Sequence, residues 1–249
     1  MKALLKGLAQ RGLGLVPSSL VAPLVRALCA LEAGRRPPRE AAAFLLGLDE
    51  ALYPLLSQAA VAAGGGTHVK HRLTAYHDFF VGRVAPGQRV LDVGCGVGAL
   101  AQDLAQRGQA RVTAIDNNPQ AIERARALHP HPGVEYLLAD ALRPLPQAGC
   151  EVIALSNVLE HLPQRVEFLR DLLAAQRPRR LLIRVPLLER DWRVAWRREL
   201  GLEWRLDNTH HTEYTLESFA LEMAQAGLEV THQEVRWGEI WAEARPVAA

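Results

Sequence analysis

The chain has 249 residues, of which 49% are hydrophobic and 22% charged, and its net charge is +2. That balance excludes a disordered or fibrous chain and gives enough length for a core without staples. It lacks the global basic field of a DNA-coating protein, so no DNA partner is expected. Cys29, Cys95 and Cys150 are few, odd in number and widely spaced. They suggest neither a disulfide framework nor a CxxC metal site, and a reducing, cytoplasmic setting is the expectation.

Residues 1–63 are rich in Ala and Leu and carry Pro17, Pro23, Pro37, Pro38 and Pro54. Helical spacing between those prolines predicts several short helices. They form a helical extension over 1–75, ahead of a second domain over 76–249. The most apolar stretch, 13–31, contains Pro17, Pro23 and Arg26 and is no transmembrane segment. Lys6 and Arg11 break up the apolar residues at the start of the chain as a signal peptide would not be interrupted. Gly64 to Gly66 reads as a hinge, and a polar, His-containing helix is predicted over 69–81.

From residue 89 the pattern alternates. Strands are predicted over 89–93, 111–115, 134–138, 152–155 and 180–185, with helices over 99–107, 119–128 and 164–175. Such alternation means parallel strands joined by crossover helices, hence an α/β, doubly wound sheet. A helix over 216–226 then leads to strands over 228–230 and 237–242. Their spacing predicts an antiparallel hairpin closing the sheet edge.

The chemistry starts at Val90-Leu91-Asp92-Val93-Gly94-Cys95-Gly96-Val97-Gly98. This is a strand, a glycine turn and a helix start, where the backbone can approach a ligand and free N–H groups face it. Gly94, Gly96 and Ala99 also satisfy the dinucleotide fingerprint. Asp92 ahead of the glycines favours a cationic group over a pyrophosphate. Asp116 ends the second strand, where a carboxylate can accept from ribose hydroxyls, or equally form a turn before Asn117-Asn118-Pro119. Asp140, followed by Ala141, ends the third. Cys95 reads as a small packing residue within the loop.

These motifs, with Ser156-Asn157-Val158-Leu159-Glu160-His161-Leu162-Pro163, resemble those of class I S-adenosylmethionine-dependent methyltransferases over about 89–249. The resemblance implies a seven-stranded, mostly parallel sheet with the last strand antiparallel. It implies S-adenosylmethionine as cofactor, held at Asp92, Gly94, Cys95, Gly96, Gly98, Asp116, Asn117, Asp140, Ala141 and Asn157. In that arrangement Asp92 lies near the amino group, Asp116 takes the ribose hydroxyls, and Asp140 with Ala141 takes the adenine.

Glu160 and His161 follow the fourth strand, at the edge where ligands of open α/β sheets bind. His161 can take a proton from an attacking hydroxyl or amine, or can cap the following helix. A second cluster, Thr209-His210-His211-Thr212-Glu213-Tyr214-Thr215, adds His210 and His211 to the catalytic candidates, while Thr215 reads as an N-cap. Glu160, His161 and a later His resemble the ligands of metal-dependent RNA 2′-O-methyltransferases. Asn157 stands where those proteins carry a further Glu, so no metal is assigned. Between 165 and 205 eleven Arg face six acids, and Trp192 and Trp196 interleave with Arg193, Arg197 and Arg198. That segment is a solvated lid helix or a surface for an anionic or aromatic acceptor. The expected function is methyl transfer to an O or N of a small or medium-sized acceptor. A metal-dependent RNA 2′-O-methyltransferase using Glu160, His161 and His210 or His211, an NAD(P) oxidoreductase and a non-catalytic interaction protein are the rivals.

Overall fold

A computed structural model describes residues 17–65, 68–145 and 149–247. Expectations for residues 1–16 and for Gly66 lie outside the described residues. Two compact units emerge: residues up to His68 with Glu199–Leu202, and Val69–Arg198 with Glu203 onward. No described helix is long and apolar enough to cross a membrane.

The first unit is a pair of helices, α1 (Ser18–Gly34) and α2 (Pro38–Ala63), which pack on one another. The expected series of short helices is corrected here. Pro17 and Pro37 stand at N-caps and Pro38 at the first turn, where a missing amide costs little, whereas Pro23 and Pro54 lie inside the helices. Each interior proline removes one backbone bond, and the flanking Ala and Leu carry the helix through.

The second unit opens with α3 (Lys70–Thr74) and α4 (Tyr76–Val81) in place of the single helix expected over 69–81. Ala75, at φ 48°, ends α3 through its amide on His71 O and redirects the chain. The turn lets α4 bury Tyr76, Phe79 and Phe80. There follow β1 (Arg89–Val93), α5 (Ala99–Gln106), β2 (Arg111–Asp116), α6 (Pro119–Leu128), β3 (Val134–Leu138), β4 (Val152–Ser156), a 3₁₀ turn (Leu159–His161) and α7 (Arg165–Gln176). The chain closes with β5 (Arg180–Pro186), α8 (Trp192–Glu199), α9 (Leu216–Gln225), β6 (Leu228–Arg236) and β7 (Glu239–Pro246).

The seven strands run in the order β3-β2-β1-β4-β5-β7-β6. β1 to β5 are parallel, and β7 pairs antiparallel with both β5 and β6. The hairpin therefore inserts its last strand beside β5 and leaves β6 at the edge. Its strands are longer than predicted, and Trp237, expected within a strand, sits at φ 54° in the connecting turn. Alternate residues divide between two core layers. Leu91, Ile153, Leu155 and Ile183 pack with Phe168, Leu169 and Phe219, while Val90, Val112, Ala154 and Leu182 pack with Phe80, Leu104 and Ile122. Both faces of β4 are covered, which explains its uninterrupted apolar run. The strand order reverses between β1 and β4, which opens a crevice at their carboxyl ends.

Candidate active site

The crevice is built first by backbone. β1 ends in the loop Gly94 to Gly98, whose glycines take φ of +67°, +54° and +84° at positions 94, 96 and 98. A Cβ on Gly94 would meet Val158 Cγ2 at 2.9 Å, and one on Gly98 would meet Tyr136 Oη at 2.6 Å. Side chains are excluded at both places by conformation and by space. Tyr136, on β3, lies under the loop with its hydroxyl 3.2 Å from Gly98 O and 2.9 Å from His129 O. No sequence motif announced that support.

Asp116 locks the loop from β2. Its Oδ2 accepts from Gly96 N at 2.9 Å and its Oδ1 from Asn118 N at 2.8 Å. It thus serves as a turn residue and keeps further lone pairs for a ligand. Asn118 in turn caps α6. Asp140 accepts from Leu142 N at 3.0 Å and remains partly exposed.

Gly94, Asp116, Asn117, Asp140, Ala141, Asn157 and His161 all line one cavity of about 320 Å³, joined by Val158, Leu142 and Leu162. That volume is at the small end of ligand pockets, which run about 300–1,000 Å³. Asp92, Cys95, Gly96 and Gly98 are not on its wall. Asp92 is buried beneath, with Oδ2 lacking any hydrogen-bond partner. Burial, and then the Asp116 charge, push its carboxyl up to about 7. Burial also pushes the Cys95 thiol up, so it is no nucleophile. A larger hollow of about 570 Å³, beside Arg89 and Arg111, sits at the opposite edge of the sheet from ligand-binding crevices of this architecture.

The other wall comes from the loop after β4. Asn157 adopts φ 57° and its Oδ1 is buried without a partner. The 3₁₀ turn then buries Glu160 completely while His161 stays half-exposed to the cavity. His161 does not cap α7. Its Nδ1 is 3.0 Å from Thr209 Oγ1, which donates to Asp207 Oδ1 at 2.7 Å. Burial, then the neighbouring His210, hold the His161 pKa below its usual value, and burial raises Glu160 to about 7.

The distant His loop joins this turn through the backbone: Glu160 O accepts from His211 N at 2.7 Å. That bond brings His210 against His161, with ring centroids 4.7 Å apart and nearly perpendicular. The His211 side chain stays exposed. Glu213 and Tyr214 are buried. Glu213 Oε1 is 3.1 Å from His210 Nδ1, and its other oxygen pairs with Arg190. Tyr214 donates to Glu222. Thr215 caps α9 in a capping box with Ser218. Helix α8 buries only Val194, and Trp192 is 70% exposed.

A strand-order reversal, a glycine loop, strand-end acids and a half-exposed His meet at one Rossmann-like crevice. Residues 66–233 match the family described as "Methyltransferase domain", and the chain belongs to it: the protein is a class I S-adenosylmethionine-dependent methyltransferase. It is 36% identical over 118 residues to the ribosomal protein L11 methyltransferase of Dechloromonas aromatica, covering 47% of this chain and 38% of that one. It is 30% identical over 154 residues to the 2-methyl-6-phytyl-1,4-hydroquinone methyltransferase of Synechocystis, covering 57% and 47%. The matches thus span less than half of either relative. The fold is similar to that of the magnesium protoporphyrin IX methyltransferase of Synechocystis, solved with bound SAH, at a TM-score of 0.55, 17% identity, and coverage of 70% and 83%.

S-adenosylmethionine is the cofactor, and the residues fit it. The orphaned Asp92 and Asn157 oxygens are acceptors that need a donor such as an ammonium group. The glycine loop is clear of side chains where a ligand must come close.

Proposed function

We propose that this protein transfers a methyl group to an oxygen or nitrogen of a small or medium-sized acceptor, with the glycine loop as the donor side and the Glu160–His161–His210 turn as the acceptor side. S-adenosylmethionine supplies an electrophilic methyl on a sulfonium sulfur. Gly94, Gly96 and Gly98 give it room. Asp92 pairs its amino group, Asp116 accepts from its ribose hydroxyls, Asp140 and Ala141 border its adenine, and Asn157 borders the methionine end. Holding donor and acceptor in one crevice supplies most of the rate.

One observation carries this reading. His161 faces the cavity shared with the glycine loop, and its Nδ1 is engaged by Thr209 Oγ1, which has its own proton on Asp207. His161 Nδ1 therefore donates, and Nε2 holds the lone pair that receives the acceptor's proton. His210 and Glu160 back it, and His211 pins the two loops. We assign Ser18–Gly34 and Pro38–Ala63 as a separate helical element, and Lys70, His71 and Arg72, on α3 of the second unit, as candidates for acceptor recognition. The hydroquinone named for one relative makes phenolic hydroxyls the first acceptors to test.

The test is turnover of His161→Ala on a panel of phenols, hydroquinones and amines, followed by SAH release, beside calorimetry with S-adenosylmethionine. The expectation is a loss of kcat of roughly 100-fold or more with cofactor affinity within a few-fold of the parent. Unchanged kcat overturns the assignment of His161.

A further inference from the structure

The structure assigns the α1–α2 pair as a dimerisation element that packs on the same pair of a second copy of this chain. The starting point is burial. Among the described residues, α1 buries none of its side chains and α2 buries only Leu46. In the second unit α5, with eight residues, buries four. Two helices packed only on each other use one face apiece, so their other apolar positions are left in water.

Those positions are many and patterned. Val21, Leu24, Leu28 and Leu31 follow one another at spacings of three, four and three along α1. Leu45, Leu48, Leu52 and Leu55 repeat that spacing along α2. This is the a/d seam by which the helices of a bundle pack. Cys29 and Ala33, the apolar positions of α1 that are half-buried, lie off that stripe. Eleven large apolar side chains of the pair are 44–65% exposed. At about 100 Å² each they present roughly 1,000 Å² per chain, where the largest apolar patch of a monomer is about 300–600 Å² and each partner of a stable interface buries about 800 Å².

Charge selects the occupant. A helix that lies on lipid keeps a polar face rich in Lys or Arg. The charged residues of α1 are Arg26 and Glu32 alone, and Glu32 is paired with Arg36 at 2.6 Å. Over residues 17–63, Arg26, Arg35, Arg36 and Arg39 balance Glu32, Glu40, Asp49 and Glu50. A neutral surface is not repelled by its own copy and is not drawn to anionic lipid. Two helices joined by residues 35–37, each with an a/d seam, are half of a four-helix bundle. A two-fold axis supplies the other half from an identical surface, so each seam is covered by its partner's. This inference is independent of the acceptor assignment, and it joins two methyl-transfer units in one assembly.

The test is sedimentation equilibrium of the full chain. The expected result is twice the 27.4 kDa chain mass, with dissociation only below roughly 10 µM. Leu28→Glu combined with Leu52→Glu puts charges in the seam and should leave a monomer. Leu24→Ala combined with Leu28→Ala keeps helix propensity while removing apolar area, and should weaken the dimer at least tenfold. Far-UV circular dichroism checks that the helices persist, and if the glutamate variant loses helix the alanine variant decides. S-adenosylmethionine affinity should stay within a few-fold of the parent in both, since the second unit is untouched. A parent that stays monomeric at roughly ten times that concentration overturns the inference. Binding of such a monomer to phosphatidylcholine–phosphatidylglycerol vesicles would give the face to lipid instead. A dimer that both variants leave intact also overturns it, because the contact then lies elsewhere.

Discussion

The two walls of the crevice are made in different ways. The glycine-loop wall is backbone, drawn from β1, β2 and β3 within about fifty residues, and its acids hold amides in place. The wall after β4 is side chain. It joins residues 160–161 to 207–213 through backbone bonds from His211 N and Thr212 N to Glu160 O, and through the contact of His161 Nδ1 with Thr209 Oγ1. A wall whose loop is held by backbone bonds and by acids on its amides is rigid. A wall of converging side chains is tunable and easily unbalanced. In the proposed function the first is the cofactor side and the second the acceptor side.

The largest break in that comparison should come from Gly98→Ala. It puts a Cβ 2.6 Å from the Tyr136 hydroxyl at a φ of +84°. Left-handed strain of about 1–2 kcal/mol plus overpacking of about 1–3 kcal/mol should lower stability by about 3 kcal/mol. Thermal melts check the fold, and calorimetry should show cofactor affinity reduced at least tenfold. Asp116→Ala comes next. It removes the anchor of Gly96 N and Asn118 N together with the proposed ribose acceptor, and bonds to charged groups are worth about 1.5–3 kcal/mol each. Cofactor affinity should fall roughly 10- to 100-fold, and an unchanged Kd would sink the ribose assignment.

The third prediction uses pH. Burial lifts the Asp92 pKa from an ordinary 3.8 to about 7, so the folded protein binds this proton more tightly than the unfolded chain. The stability linked to it is full below pH 3.8 and is lost as pH rises through about 7. Between about pH 6 and 8 the ligand-free protein should lose about 1.4 kcal/mol from this group, and Asp92→Asn should flatten that slope. Cofactor affinity should move the other way, rising over the same window as Asp92 ionises to meet an ammonium group, and Asp92→Asn should lose the rise. The smallest effect belongs to Thr215→Ala. Loss of the α9 capping box should cost about 1 kcal/mol by chemical denaturation and leave cofactor affinity alone.

The same contrast explains what the sequence made legible. β1, α6 and β3 appear at their predicted bounds because period and caps are local: Asn118 ahead of Pro119 fixes one end and alternation the other. The glycine loop was readable because positive φ favours glycine and a Cβ at Gly94 or Gly98 would also collide with Val158 or Tyr136. The prolines misled, since Pro23 and Pro54 lie within helices and local rules cannot weigh a flanking Ala-rich context. His161 and His210 were both visible as candidates, but their contact depends on residues some fifty positions apart. Thr209, Asp207 and Glu213 carried no signal as orienting groups, because orientation is a property of the packed loop. Tyr136 looked like any strand aromatic until Gly98 lay on its ring.

The most direct test of the two-wall account is calorimetric titration of S-adenosylmethionine into the parent protein, Asp116→Ala and Glu160→Gln side by side. The account predicts one molecule bound per chain, a clear loss of affinity in Asp116→Ala, and an affinity within a few-fold of the parent in Glu160→Gln. Equal loss in both variants, or no binding to the parent, would contradict a donor wall that works independently of the acceptor wall.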